Sequence, residues 1–324
     1  MSVKLGKNKS DSIYKKYLEL LSTDNFTSGQ IEKILCQEFG LKRSTCFDHS
    51  VKRYKQEQSI IATEPITSQE DRLKTNKAKI LIFDIETFAN LGYVWGKWDQ
   101  NVIAYEREWF ALCFCYKWLG EKRVSSVALP DFDLYNEDKF NDYEVVKAMW
   151  KLFDEADIVV AHNGDKFDIK KMNARFLYYR LPPPSTFKSI DTVKIARQKF
   201  AMNSNKLDDI GKYLGVGRKV VNTGWDLWKR CSEGDLKAWE EMIRYNKQDV
   251  VLLEKVYEIF KPYITNHPNL NLYNNTLHCC PNCSSSRVQK RGFSMTRVSK
   301  SQRYQCMDCG AWSQSPVSGD KIIR

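Results

Sequence analysis

The sequence predicts an α/β protein in which a mixed β-sheet is flanked by helices, with a smaller module at each end. Residues 78–262 alternate short apolar runs with longer amphipathic stretches, the pattern of strands and helices. Residues 1–58 have helical periodicity only, and residues 278–324 contain two closely spaced cysteine pairs. A chain of 324 residues is longer than one average domain and fits two or three.

The N-terminal module, residues 1–58, is predicted to hold helices over 11–21, 28–39 and 44–54. Gly40 offers a stop after the second helix, and basic residues surround the third. This is the outline of a helix-turn-helix. DNA binding, docking of a protein and a purely structural role all remain open for it. Residues 59–77 are polar, contain Pro65 and lack periodicity, so they are predicted to be a linker.

The central module, residues 78–262, begins with an apolar run over 79–85 that suits a buried strand. Aromatic and β-branched residues predict three more strands before the first helix, and one strand after it. Asp235 is placed to cap a long helix that ends near Phe260. The βββαβα order predicts a mixed sheet with helices packed on it. The predicted strands are 91–103, 109–119, 123–129 and 157–161; the other helices are 144–156, 167–179 and 207–214; residues 263–277 are a second predicted linker.

The net charge of +11 is spread unevenly, with +4 in residues 1–78, zero in 79–260 and +7 in 261–324. Basic ends on a neutral body favour a polyanionic partner, although ordinary solvated surface would give the same numbers. No apolar run approaches the roughly 20 residues of a transmembrane helix, and the N-terminus lacks a secretory signal. We therefore expect a cytoplasmic protein with no membrane partner.

Asp84 and Glu86 end the first predicted strand. Residues two apart point to the same face of a strand, so both carboxylates project together while Ile85 packs away. Such a pair repels unless a hard cation such as Mg²⁺ binds between the two groups. A solvated strand end is the alternative.

Two further acidic clusters lie downstream. Asp168 follows a buried strand and His162-Asn163-Gly164, where helix-terminus electrostatics would equally favour an acid. Asp249 lies in the long helix near its apolar side, four residues after Tyr245 and so on the same helix face. An unpaired carboxylate there would be unfavourable, and a metal ion would satisfy it; a buried Tyr–Asp pair or partial exposure is the alternative. The lone His162 is expected to be a hydrogen-bonded structural residue.

Together, the segments FDIET (83–87), HNGDKFD (162–168) and YNKQD (245–249) resemble the three exonuclease motifs of the DEDD superfamily. The resemblance is to the DnaQ-like and family-B-polymerase proofreading group, with its RNase H-like fold, and Tyr245 is similar to the Tyr-type (DEDDy) branch. It covers about residues 78–262. The whole layout, including the tail, resembles predicted exonucleases encoded by bacteriophages, which would place the protein in a host cytoplasm.

The resemblance implies a 3′→5′ exonuclease that holds two Mg²⁺ or Mn²⁺ ions. Asp84 would bridge both ions, Glu86 and Asp249 would complete the first and Asp168 the second, while Tyr245 would orient the attacking water. Phe88, Asn163 and Phe167 are candidates to contact nucleic acid, with core packing the alternative for Phe167. DNA is the favoured substrate. An RNA 3′-end-trimming enzyme and a non-catalytic DNA-binding regulator are the alternatives, and proofreading would require a replication or repair protein in trans.

The C-terminal module contains Cys280-Pro-Asn-Cys283 and Cys306-Met-Asp-Cys309. Four thiolates in two such pairs are the ligand set of a structural Zn²⁺. The pattern resembles the zinc ribbons attached to insertion-sequence transposases, which implies contact with nucleic acid; a folding staple or a protein-binding ribbon is the alternative. The cations expected to contact phosphates are Arg287, Lys290, Arg291, Arg297, Lys300 and Arg303.

Overall fold

The computed structural model describes residues 7–22, 28–42, 44–45, 50, 77–98, 101–274 and 278–316. Its internal contacts divide the chain into two units, Met1–Ser68 and Gln69–Arg324. Among the described residues, no helix is both long and apolar enough to cross a membrane.

The described residues of the first unit include two helices, α1 (Lys7–Ser22) and α2 (Ser28–Phe39), which confirms the first two predicted helices. They pack through apolar side chains that recur at helical spacing and are almost fully buried. Most of the third predicted helix, 44–54, and of the linker 59–77 lies outside the described residues. The helix-turn-helix therefore stays a prediction. The buried side chains are those of Ile13, Tyr14, Tyr17, Ile31 and Leu35.

The second unit is built on a five-stranded mixed sheet, which confirms the predicted fold class. Its order is β5-β4-β1-β6-β7; β4 and β5 run antiparallel to their neighbours, whereas β6 and β7 run parallel to β1. A separate hairpin, β2–β3, lies between β1 and β4 in the chain. The strands are β1 (Ile80–Thr87), β2 (Leu91–Tyr93), β3 (Ala104–Arg107), β4 (Ala111–Trp118), β5 (Ser125–Ala128), β6 (Ile158–Ala161) and β7 (Lys188–Asp191).

Helices cover both faces of this sheet, so β1 is apolar on both sides rather than alternating. Ile80 and Ile82 join the core cluster that includes Val250 and Leu253 of α8. Phe83, on the other face, contacts Phe153 of α3, with ring centroids 5.1 Å apart. The helices are α3 (Tyr143–Glu155), α4 (Asp168–Tyr178), α5 (Thr192–Lys199), α6 (Leu207–Tyr213), α7 (Trp225–Glu233) and α8 (Leu236–Phe260).

The long helix α8 begins as predicted. The Asp235 side chain accepts hydrogen bonds from the backbone N–H groups of Lys237 (2.9 Å) and Ala238 (3.4 Å). A capping carboxylate of this kind satisfies donors that the first helical turn leaves unpaired. The cap fixes where the helix starts, and therefore which of its residues face the sheet.

Three differences from the sequence expectations stand out. The strand predicted over 91–103 is wrong, because among the described residues of that range only Leu91–Tyr93 forms a strand, which pairs antiparallel with β3. β7, α5 and α7 were not predicted, since their short polar sequences give no clear period. Of the segment 263–277, predicted as a linker, the described residues 263–274 pack on their surroundings: Ile264 is buried, and the Leu270 N–H donates to the Pro281 carbonyl at 2.8 Å.

The C-terminal module is a three-stranded antiparallel sheet, preceded by the one-turn helix α9 (Asn271–Asn274). Its strands are β8 (Val288–Met295), β9 (Lys300–Cys306) and β10 (Trp312–Pro316), in the order β10-β9-β8. Cys280, Cys306 and Ala311 form its small buried centre. A core of this size is too small to hold such a sheet by itself, which points to the four cysteines as its main stabilising feature.

Asp142, just before α3, ties α3 and α4 to the central sheet. Its fully buried carboxylate accepts hydrogen bonds from the Ala111 N–H (2.7 Å), from the Tyr179 hydroxyl (2.6 Å) and from Arg175. A buried guanidinium that loses its carboxylate partner is strongly destabilising.

We expect Asp142→Ala to lower the free energy of unfolding by about 3–5 kcal/mol, because it leaves the Arg175 charge buried and unpaired. Chemical denaturation followed by tryptophan fluorescence measures this change. All nine tryptophans lie in the second unit, so the signal reports that unit alone. The control is Glu233→Ala, which removes an ion pair with Lys229 whose side chains are both 60% exposed. It should change stability by less than about 1 kcal/mol. Equal losses in the two variants would contradict the assignment.

Candidate functional site

Two acidic residues of the site come from the end of β1. Asp84 and Glu86 lie opposite Cys115 and Cys113 of β4, and the pairing register shifts immediately after Glu86. Ile85, between them, is 4% exposed and points away. The alternation of a strand therefore presents both carboxylates on the face that α8 covers.

The helix α8 adds a third carboxylate to the same place. Asp249 is 1% exposed, and its carboxylate oxygens lie with those of Asp84 and Glu86, with one oxygen from each residue within 4.8 Å of the other two. Asn246, one turn earlier and fully buried, donates from Nδ2 to Asp84 Oδ2 at 2.7 Å. Within the described part of the chain, Asp249 Oδ1 is buried without a hydrogen-bond partner.

Asp168 approaches β1 from the start of α4. Its Oδ1 accepts a hydrogen bond from the Ile85 backbone N–H at 3.2 Å, and the residue is 3% exposed. The approach requires Gly164, since a Cβ there would stand 2.4 Å from the Ala161 side chain. The turn that Gly164 allows thus places the fourth acid against the strand that carries the first two.

Burial and mutual repulsion make this cluster unfavourable as free carboxylates. Burial, with repulsion from Asp168 next, raises the pKa of Asp84 well above its ordinary range. Burial and then Asp249 raise the pKa of Glu86 to about 8. Burial raises the pKa of Asp168 to about 7, although the hydrogen bond from Ile85 opposes the shift. Carboxylates held this close favour a bound cation, and their oxygen atoms are ligands that Mg²⁺ and Mn²⁺ accept.

Lys219 is a residue of the site that the sequence reasoning missed. Its Nζ lies 2.6 Å from Asp249 Oδ2 and 3.3 Å from the Tyr245 hydroxyl. Burial opposes its charge, but Asp249 raises the pKa of Lys219 above its ordinary value, so the lysine stays protonated. Burial raises the pKa of Asp249 above its ordinary value, and Lys219 opposes this rise. A lysine is therefore built into the acidic cluster as a counter-charge.

The loop that carries Lys219 is fixed at several points. Its backbone N–H donates to Asp208 Oδ1 at 2.7 Å. Gly217 adopts a φ of +139°, a conformation that L side chains rarely take, and its carbonyl would stand 2.7 Å from a Cβ at Gly211. The glycines of this loop were the available sequence signal, because they permit the close approach that brings Lys219 to α8.

His162 is a structural residue here. Its Nδ1 lies 2.8 Å from the Thr192 hydroxyl and its Nε2 lies 3.0 Å from the Asn205 carbonyl, so both ring nitrogens are engaged. Burial lowers the pKa of His162 to about 4 and keeps the ring neutral. Asn163, predicted to contact nucleic acid, has a φ of +70° and donates its backbone N–H to Asp191 Oδ1 at 2.9 Å.

An aromatic cleft of about 320 Å³ opens beside the acids. Phe88 stacks on Phe110 and also meets Trp225, at centroid distances of 5.4 Å each. Trp228 meets the ring of Tyr245 at 6.2 Å, which links the cleft to the acidic cluster. The tryptophans on α7 were not singled out from the sequence, although their i, i+3 spacing places them on one helix face. The cleft is lined by Thr87, Phe88, Ala89, Asn90, Trp109, Lys171, Trp225 and Trp228.

Phe167 does not pack in the core. It is 39% exposed, and Lys171 Nζ lies 5.6 Å from its ring centroid. The same lysine lies 3.6 Å from the ring centroid of Trp109 in the cleft. Phe88 and Phe167 thus flank a patch where an exposed aromatic ring, a cation and the cleft come together.

The four C-terminal cysteines meet at one point. Their sulfur atoms all lie within 4.8 Å of one another, and the Cys280–Cys309 and Cys283–Cys306 separations are 3.6 Å. A tetrahedral Zn²⁺ with Zn–S bonds of about 2.3 Å has S–S edges of about 3.8 Å, so the arrangement is compatible with a zinc ribbon. Of the six predicted phosphate contacts, Arg287 pairs with Asp308 and Lys300 is half-buried; the exposed remainder are Lys290, Arg291, Arg297 and Arg303.

A match to a family model supports the fold. A family model described as RNase_H superfamily (RNase_H_2) matches residues 119–261. The chain is also similar to a solved structure of the family B DNA polymerase from the hyperthermophilic archaeon Pyrobaculum calidifontis, with 12% identity and a TM-score of 0.43. That similarity covers 68% of this chain and 31% of the polymerase chain, so the chain spans about a third of the length of that relative. No curated protein sequence matches the chain significantly.

The matched stretch contains Asp168, Lys219, Tyr245 and Asp249, and the sheet that it helps to build is completed by β1 with Asp84 and Glu86. The second unit therefore has an RNase H-like fold, a mixed sheet flanked by helices, with an acidic cluster at the end of its central strand.

Proposed function

We propose that the protein is a metal-dependent 3′→5′ exonuclease that hydrolyses phosphodiester bonds, with DNA as the favoured substrate. The observation that carries the proposal is the meeting of Asp84, Glu86 and Asp249 in one cluster, with Asp168 beside it; Asp249 is buried, and Asp84 and Glu86 are half-buried. The unpaired Oδ1 of Asp249 is an acceptor suited to a cation. The 3′→5′ direction and the count of two cations rest on the motif resemblance.

Asp84, Glu86 and Asp249 would hold one Mg²⁺ or Mn²⁺, and Asp84 with Asp168 the other. Bound there, such ions neutralise charge on the phosphate and favour the attack of water on phosphorus. Asn246 fixes the orientation of the Asp84 carboxylate through its hydrogen bond to Oδ2. Geometry of this kind matters because phosphoryl transfer depends mainly on positioning and charge stabilisation.

Tyr245 is suited to orient water rather than to remove a proton from it. Burial and then Asp249 raise the pKa of Tyr245 above its ordinary value, so the hydroxyl stays protonated at neutral pH. Its oxygen lies 3.3 Å from Lys219 Nζ, which fixes its position. Lys219 brings a permanent positive charge to the side of the cluster where a phosphate would approach.

The other modules would bring nucleic acid to this site. Exposed cations on the ribbon, among them Lys290, Arg291 and Arg303, suit phosphate contacts and depend on a bound Zn²⁺ for their fixed arrangement. The excess of positive charge in residues 261–324 fits the same role. A replication or repair protein in trans is the partner that proofreading would need.

We expect Asp84→Ala and Asp249→Ala each to lower the cleavage rate by more than about a hundredfold, since residues that only support metal ligands already contribute about 10–100-fold. The measurement uses 5′-labelled single strands of DNA and of RNA with Mg²⁺ or Mn²⁺. A ladder that shortens from the 3′ end gives the direction, and the two rates rank the substrates. The control is Asp154→Asn, a carboxylate of α3 that binds Ser185 instead. Turnover retained in either alanine variant would disprove the site assignment.

Without Mg²⁺ or Mn²⁺, we expect the melting temperature of the second unit to fall as the pH rises from about 5 to about 9. The folded-state pKa values of Glu86 (about 8) and Asp168 (about 7) are raised, so their protonated forms stabilise the fold and this contribution is lost as they ionise. Added Mg²⁺ should reduce the fall, because it binds the ionised carboxylates. Zinc-loaded protein in buffer without added Mg²⁺ or Mn²⁺ keeps the ribbon intact during the measurement. A pH profile that Glu86→Gln and Mg²⁺ both leave unchanged would contradict the expectation.

Metal analysis of the purified chain should give about one Zn per molecule, and Cys283→Ser should lower this value strongly, because three thiolates bind Zn²⁺ less tightly than four. Cys279→Ser is the matched control, since Cys279 lies next to the first cysteine pair but outside the four-sulfur group. Loss of zinc in the control, or its retention in Cys283→Ser, would exclude the four-cysteine site.

A further inference from the structure

The C-terminal module is hydrogen-bonded to the end of α8 through the first cysteine pair, Cys280 and Cys283. Asn282, within this pair, is 7% exposed, and its Nδ2 donates to the Lys261 carbonyl at 2.9 Å. Lys261 is the first residue after α8 and is 6% exposed. Because a buried amide donor without an acceptor is unfavourable, Asn282 and the end of α8 hold each other in place. The same carbonyl accepts from the Ile264 N–H at 3.2 Å, so Asn282 completes the turn in which α8 ends.

The turn that presents Asn282 is held by Cys280. The Asn282 backbone N–H hydrogen-bonds to the Cys280 sulfur. The Cys280 N–H donates to the Ser285 carbonyl, and the Ser284 N–H donates to the Cys280 carbonyl, both at 2.8 Å. The buried centre of the module is small, and a tetrahedral Zn²⁺ fixes the positions of its four thiolate ligands. Zinc binding therefore fixes the turn from which Asn282 reaches the end of α8.

Two further hydrogen bonds join the segment after α8 to the first cysteine pair and its neighbour. The Leu270 N–H donates to the Pro281 carbonyl at 2.8 Å, and Asn271 Nδ2 donates to the Cys279 carbonyl at 2.7 Å. Leu270 also packs against the core cluster of the central sheet, in which Ile264 is buried. The first cysteine pair is thus bonded to residues that belong to the core of the RNase H-like fold.

The same core cluster connects the end of α8 to the acidic residues. A helical rise of about 1.5 Å per residue puts Asp249 about 16 Å from the end of α8. Over this distance, α8 shares its buried side chains with Ile80 and Ile82 of β1, the strand that ends in the first two acids. Since such cores are close-packed, a displacement of the helix end is transmitted along the helix rather than absorbed. The buried side chains of α8 are those of Val250, Leu252, Leu253, Val256, Tyr257 and Phe260, each at most 1% exposed.

We propose that Asn282 is a positioning residue that couples zinc binding at the four cysteines to Mg²⁺ or Mn²⁺ binding at the acidic cluster. With zinc bound, Asn282 holds the end of α8 against the core, and Asp249 stays within reach of the acids of β1. Without zinc, the end of α8 loses this donor and Asp249 is held less well. The inference rests on the proposed metal-dependent function and adds a control to it: the zinc content of the chain sets the affinity of the acidic cluster for its cations. Because coupling between two binding sites is reciprocal, Mg²⁺ must tighten zinc binding by the same factor.

The first test uses this reciprocity on the unsubstituted, zinc-loaded chain. Its zinc affinity is measured by competition with the coloured chelator pyridylazoresorcinol, with and without Mg²⁺ at equal ionic strength. Mg²⁺ prefers oxygen ligands and does not compete for the thiolates. It should tighten zinc binding by about fivefold or more, as expected for coupled sites, and the effect should vanish in Asp84→Asn. A zinc affinity that Mg²⁺ leaves unchanged, or tightens equally in Asp84→Asn, would overturn the proposal.

A matched pair of variants tests the role of Asn282 itself. Asn282→Ala should weaken Mn²⁺ binding by about fivefold or more, measured from the electron paramagnetic resonance signal of free Mn²⁺. The control is Asp308→Ala, because Asp308 has the same position in the second cysteine pair and instead pairs with Arg287 and Ser285. This control should leave the Mn²⁺ affinity unchanged. An unchanged affinity in Asn282→Ala, or an equal loss in both variants, would contradict the coupling, whether or not zinc is retained.

The dependence of cleavage on Mg²⁺ separates positioning from a purely structural role. In Asn282→Ala the Mg²⁺ concentration that gives half the maximal rate should rise by about fivefold or more, while the rate at saturating Mg²⁺ is retained. A lower saturating rate without this shift would indicate a structural role and overturn the proposal. If the unsubstituted chain cleaves no substrate, the proposed exonuclease fails, whereas tightening of zinc by Mg²⁺ would still support the coupling.

Discussion

The arrangement of the second unit depends on one electrostatic constraint, the gathering of carboxylates at the half-buried end of β1. Burial and then repulsion from Asp249 raise the pKa of Glu86 to about 8, because both disfavour its ionised form. Hydrogen-bond donors of the protein stabilise the carboxylates in place of solvent. Asn246 donates to Asp84, the Ile85 N–H donates to Asp168, and the ammonium group of Lys219 donates to Asp249. These groups leave acceptor capacity unused, notably on Asp249 Oδ1, and a bound cation would use it.

Ordinary elements of secondary structure bring these groups together. A parallel strand order places the ends of β1 and β6 at the same edge of the sheet, so the turn after β6 delivers Asp168 beside β1. The helix α8 crosses the covered face with Asn246 and Asp249 one turn apart. The tightest requirement is steric, since Gly164 and Gly211 stand where a Cβ would meet other atoms at 2.4 and 2.7 Å.

The fold class and the acidic residues could be predicted from the sequence because both depend on patterns within a few consecutive residues. Apolar runs predict buried strands, and acids spaced by two or four residues must share a face of a strand or helix. Lys219 was missed because a lysine in a glycine-rich loop carries no periodic signal, and its contact with Asp249 spans 30 residues. The hairpin was read as one strand because its aromatic and β-branched residues favour extension, whereas the reversal between β2 and β3 has no strong turn sequence. The cleft was missed for a related reason, since its tryptophans belong to segments far apart in the chain.

Asn282, inside the first cysteine pair, is 7% exposed and donates from Nδ2 to the carbonyl of Lys261 at 2.9 Å. Lys261 immediately follows α8, the helix that carries Asp249. The first cysteine pair is therefore hydrogen-bonded to the end of that helix. In evolutionary terms the C-terminal module is not a freely exchangeable cassette. An insertion or deletion between α8 and the first cysteine pair must preserve this hydrogen bond. A zinc ribbon transplanted from another protein would need an amide donor at the position of Asn282. Among relatives of this chain, we therefore expect the residues of the first cysteine pair to covary with those at the end of α8.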